Sequence, residues 1–166
     1  MTLPKEAEVL GANSGPVEIK GSGAHTVVRL SAEGQRKLAG LISGASTETS
    51  ANSVFLGLEN IRGDFDAAVL TAFINLPENA SPRDHHNLRT EGVGLYGLRR
   101  ASVRQGENEG PGLTFLLDIT LILVELLAAK LLNAEEIRVS IVPDHPLPPS
   151  INIAVGRVSI FATSPT

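Results

Sequence analysis

The sequence contains no cysteine and no tryptophan, and it has a single tyrosine and a single methionine. Without cysteine there can be no disulfide, no thiol nucleophile, no iron–sulfur cluster and no Cys-ligated zinc. Positive charge is also in short supply. Fourteen Lys and Arg stand against eighteen Asp and Glu, a net charge of −4, which is the wrong sign for a surface that must neutralise phosphates. The densest basic step is Arg99-Arg100 followed by Arg104, so no nucleic-acid partner is expected. Long hydrophobic runs are missing too. The longest, Ile119 to Leu132, is broken by Thr120, Glu125 and Lys130 and falls short of the roughly 18–20 residues that cross a bilayer. The opening Met1-Thr-Leu-Pro-Lys-Glu-Ala-Glu lacks the basic and apolar regions of a secretory signal. No membrane association and a cytoplasmic location are therefore the expectations.

What is present suits one globular domain. At 166 residues, 42% of them apolar, the chain is long enough to bury a self-standing core without staples. The expected boundaries are a lead over 1–8, one domain over 9–162 and a tail over 163–166. Ten prolines and sixteen glycines fall mostly between β-branched or apolar runs, the punctuation of an all-β chain. Strands are read at 16–20, 24–30, 54–61, 68–76, 93–98, 113–119, 136–142 and 151–161. In the third of these, Val54, Leu56, Leu58 and Asn60 share one face and Phe55, Gly57, Glu59 and Ile61 the other. Leu38, Leu41 and Ile42 repeat at helical spacing behind Ser31, a cap residue, and predict a short helix over about 32–43. A second helix is read over about 120–132, with Asp118 placed to cap it. The architecture expected is mainly β, an antiparallel β-sandwich or jelly-roll-like domain with two short helices.

Candidate chemistry is sparse. Of the four histidines, only His85 and His86 are close in sequence. Asp84, His85 and His86 would suit a divalent metal if their loop met Asp144 and His145; otherwise these are two solvated polar loops. No Gly-x-Ser-x-Gly elbow exists, and the glycines of Gly92-Val-Gly-Leu-Tyr-Gly97 lie on a β segment rather than ahead of a helix. Asp64 and Asp66 read as turn residues. No catalytic set assembles, so the chain is expected to be non-enzymatic and to carry no cofactor. The second helix is apolar nearly all round, and such helices are usually covered on both sides. Leu121, Glu125, Ala128 and Leu132 share one stripe at 3.6-residue spacing, a candidate surface for a homo-oligomer or another partner.

The order of segments resembles a known family. Leu10-Gly-Ala-Asn-Ser-Gly-Pro-Val is followed by Val54-Phe-Leu-Gly-Leu-Glu-Asn-Ile, Ala72-Phe-Ile-Asn-Leu-Pro, Val93-Gly-Leu-Tyr-Gly-Leu and Leu113-Thr-Phe-Leu-Leu-Asp-Ile-Thr. Ile137-Arg-Val-Ser-Ile-Val-Pro and Gly156-Arg-Val-Ser-Ile-Phe complete the succession. Together they resemble the C-terminal domain of tyrosinase-like polyphenol oxidases, across roughly residues 9 to 161. The resemblance implies a β-sandwich that packs over the entrance to a dicopper site held by a separate helical domain, and it carries over no catalytic residue. It implies a tyrosinase-like catalytic domain as partner and an accessory, shielding role. A shielding loop would come from Pro77–Gly92 or Gln105–Gly112, with Leu88 filling the substrate position and Arg83 and Arg89 meeting acidic groups on the rim. The alternatives from the residues themselves are a self-associating structural protein using the second helix and a small metal- or ligand-binding module.

Overall fold

A computed structural model describes residues 7–45, 53–77, 79–102 and 110–163. Among these, nine strands form one antiparallel sheet that curls until it is nearly barrel-shaped. They are β1 (Ala7–Ala12), β2 (Val17–Ile19), β3 (Ala24–Leu30), β4 (Ser53–Gly63), β5 (Val69–Ile74), β6 (Val93–Gly94), β7 (Leu113–Asp118), β8 (Glu136–Pro143) and β9 (Ile153–Thr163). The strand order is β6-β5-β8-β3-β1-β9-β4-β7, with β2 also paired to β9. The mainly β, antiparallel character expected from the sequence is thus what the chain adopts, with three short helices among the described residues: α1 (Ala32–Ala45), α2 (Leu98–Ser102) and α3 (Thr120–Ala128).

Alternation decides which side chains face inward. Val54, Leu56 and Leu58 of β4, Ile137, Val139 and Ile141 of β8, and Val158 and Ile160 of β9 are all completely buried. The alternation in β4 breaks at Asn60, whose φ of 55° is left-handed. Pairing with β7 shifts between Leu58 and Ile61, a β-bulge that inserts one residue. Ile61 therefore joins the inner face and Asn60 turns out to solvent, the reverse of strict alternation. Phe161 lies across Gly57, where a Cβ would come within 2.7 Å of its ring.

The helices pack against the sheet, α1 on β1, β3 and β4, α2 on β4 and β7, and α3 on α1 and β4. Ser31 Oγ accepts the N–H of Gly34 at 3.0 Å, starting α1 where the cap was read, and Leu38 and Ile42 are buried. In α3, Ile122, Leu123 and Leu126 face the core, and Asp118 Oδ1 takes the N–H of Thr120 at 2.9 Å. This helix is shorter than the sequence pattern suggests. Lys130 has a φ of 59°, and the N–H groups of Leu131 and Lys130 return to the carbonyls of Leu126 and Leu127, the reversal that ends many helices. The strand read over 93–98 is also cut short: β6 ends at Gly94, and Gly97 at φ 77° turns the chain into α2.

Candidate functional site

The segment after β5 is more ordered than a loop. Pro82–Asp84 and His86–Leu88 are single 3₁₀ turns. Thr90 then ties back to β5, its N–H donating to Ala72 O at 2.9 Å and its Oγ1 accepting the Ala72 N–H at 3.2 Å, while Arg89 bridges Phe73. These bonds draw Leu88 inward until it is 6% exposed and part of the hydrophobic core. Leu88 is therefore not an apolar tip free to enter a partner; its burial overturns that expectation. Arg83 and Arg89 remain exposed. Of the other loop read as a shield, residues 105–109 lie outside the described residues, while Gly110 O and Pro111 O accept bonds from Arg62 Nε and Asn60 Nδ2.

The metal candidates do not converge. Asp144 is held by β5, its N–H donating to Val69 O at 2.8 Å and its Oδ1 accepting the Val69 N–H at 3.2 Å. His145 Nε2 lies 3.8 Å from the other Asp144 oxygen. Among the described residues no three His, Asp or Glu side chains come together as a metal would require, so Asp84, His85 and His86 do not meet Asp144 and His145 at one site.

On α3, Leu121 is 76% exposed, with Glu125 and Ala128 also exposed beside it. Leu132 leaves this stripe. The helix ends at Ala128, and the chain beyond it turns Leu132 against the core. Its neighbour Leu131 is 68% exposed.

Two features carry no motif. The first is an ion pair on the outer face of β4 and β9. Arg157 donates to both oxygens of Glu59, at 2.6 and 3.1 Å, and Ser159 Oγ donates a third bond at 2.7 Å. Burial pushes the Glu59 carboxyl up, but the bonds from Arg157 and Ser159 and the guanidinium charge outweigh it and hold the group below its ordinary range. Glu59 pairs directly with Arg157 across the strands, in a register of β4 with β9 that runs unbroken past the bulge. The second is a groove over β3 and β8 in which Arg138 is the shared wall of two cavities. Neither follows from residue spacing within one segment, since each joins positions far apart in the chain.

A family described as a domain of unknown function (DUF7868) matches residues 6–163. A curated relative, a tyrosinase (HcTyr1) from Hahella sp. (strain CCB-MM4), is 28% identical over 107 residues. That alignment takes in 64% of this chain and 22% of the tyrosinase, so the chain corresponds to a limited part of that protein. No helix among the described residues is long and apolar enough to cross a membrane. The histidines do not fit the paired coppers that a tyrosinase resemblance brings to mind. There are four in the whole sequence, and none joins a group of three donors among the described residues.

Proposed function

The chain belongs to the DUF7868 family of unknown function, and from that membership and its likeness to part of a tyrosinase we propose that it is a non-catalytic accessory domain of a tyrosinase-type copper oxidase. In this reading it packs over the entrance to the dicopper site and limits access of substrate. The observation that carries the reading is the tyrosinase alignment, which spans most of this chain but only about a fifth of the oxidase. Arg83 and Arg89, exposed on the segment between β5 and β6, are the charges offered to an acidic rim.

The test is binding. The Hahella tyrosinase, with the stretch aligned to this chain removed, is immobilised and the full chain is passed over it. Saturable binding is expected, weakened when Arg83→Glu and Arg89→Glu are combined. No binding at tens of micromolar would remove the accessory reading.

A second reading is favoured by α3 and the turn that follows it. Leu121 and Leu131 are both more than two-thirds exposed, and burying such side chains contributes about 1.5–3 kcal/mol each. We propose that this face is the surface through which the chain self-associates.

A further inference from the structure

The outer face of β3 and β8 carries a groove independent of the accessory reading. Asn75, at φ 54°, ends β5 and sends Leu76 and Pro77 back across β8. Two cavities of about 320 and 440 Å³ flank this crossing, and Leu76, Pro77 and Arg138 line both. Val27 and Leu131 extend the apolar wall on one side. On the other lie His25 and Ser140, whose Nδ1 and Oγ are 2.9 Å apart, with Ser140 only 1% exposed.

Arg138 is unlike the other well-placed arginines. Arg29, Arg99 and Arg157 each face a carboxylate, on Glu136, Asp66 and Glu59 respectively. The half-buried Arg138 has no carboxylate within ion-pair distance among the described residues. Its guanidinium makes one bond, Nη1 to Leu76 O at 3.5 Å, the outer limit of a hydrogen bond. Glu136, the acidic residue lining the same groove, is occupied by Arg29 at 3.1 Å. A guanidinium drawn partly out of water without a counter-charge is costly, and its planar fork matches a carboxylate with two parallel bonds.

We propose that this groove binds a carboxylate carried on an apolar body. Arg138 takes the carboxylate, and Leu76, Pro77 and Val27 hold the body. The carboxylate belongs either to a free organic acid or to the C-terminus of a peptide, and the same guanidinium serves both.

The experiment titrates the ¹⁵N-labelled full chain with benzoate, with N-acetyl-Phe-Leu as the free acid, and with the neutral amide of each. Saturable amide shifts at Asn75, Leu76, Arg138 and Ser140 are expected with at least one acid, and affinity for its amide should be about tenfold lower or less. Benzoate binding alone identifies a free acid; binding of the peptide acid alone identifies a chain terminus. Arg138→Gln should weaken binding about tenfold, Arg138→Lys less, and Arg100→Gln on distant α2 not at all. Should Arg138→Gln unfold, Val27→Glu, which places a competing carboxylate in the groove, should abolish binding instead. The proposal is overturned if neither acid gives saturable shifts, if the amides bind as well as the acids, or if folded Arg138→Gln and Val27→Glu variants both bind like the parent.

Discussion

Asn75 holds the backbone of Arg138 at both its N–H and its carbonyl. Its N–H donates to the Arg138 carbonyl at 2.8 Å, and its side-chain Oδ1 accepts the Arg138 N–H at 3.0 Å. The left-handed φ of 54° at Asn75 makes both bonds possible at once, and asparagine tolerates that conformation better than most residues. Asn75→Ala should lose the side-chain bond and strain the backbone, costing about 1–3 kcal/mol. Asn75→Gly keeps the backbone unstrained and should cost less. Urea unfolding of the two variants checks the order; an alanine variant as stable as the glycine variant would contradict it.

Glu59 makes stability depend on acid. Its carboxyl is held below the ordinary range in the folded chain, so its contribution is present above the unfolded-state value of about 4.3. That contribution is lost as pH falls through the lower folded-state value. The side chain is only 12% exposed, and Glu59→Gln should cost about 1–3 kcal/mol at pH 7. The gap between variant and parent should shrink as pH drops below about 4. Urea midpoints measured from pH 7 to pH 3 would show this convergence, and a gap constant with pH would refute it.

Gly57 is glycine because Phe161 occupies the space beside it. A Cβ there would stand 2.7 Å from the Phe161 ring and 2.8 Å from Ser159 Oγ. Gly57→Ala should destabilise by about 1–3 kcal/mol through overpacking. Because the clash is with one ring, Phe161→Leu in the same chain should relieve part of it. A double variant less destabilised than the sum of the singles marks the coupling; simple additivity would mean that the strain lies elsewhere.

Leu88 and Leu121 should behave oppositely. Leu88 is in the core and Leu121 is exposed, so Leu88→Ala should cost about 2–5 kcal/mol while Leu121→Ala stays within about 0.5 kcal/mol in the monomer. If α3 mediates self-association, Leu121→Glu with Leu131→Glu should lower the mass measured by light scattering. A parent that is monomeric at high concentration would return α3 to a purely intramolecular role.

Much of the fold is legible in the sequence because periodicity and punctuation agree. Ala24–Leu30 alternates cleanly and is β3 with the same ends, and Ser31 begins α1 by the bond that its residue type suggests. Two of the failures share a cause: a backbone in a left-handed conformation at a residue that does not announce it. Lys130, not a glycine, ends α3 and so moves Leu132 off the exposed stripe. Asn60 creates the bulge that exchanges the faces of β4. β1 was not legible, since Ala7–Ala12 mixes small and charged residues and gains its place by pairing with β3 and β9. The candidate site was less legible still. The polarity of 77–92 reads as a solvated loop, yet Thr90 and Leu88 fasten it to β5. The ion pair of Glu59 with Arg157 and the groove at Arg138 exist only once distant strands are adjacent.

The proposal that this chain shields a tyrosinase-type oxidase is tested most directly by the rate of diphenol oxidation. The Hahella tyrosinase lacking the stretch aligned to this chain is assayed as the full chain is added in increasing amount. Shielding predicts inhibition that saturates with added chain and is weakened by Arg83→Glu with Arg89→Glu. A rate that stays unchanged throughout the titration, with no complex formed, would contradict it.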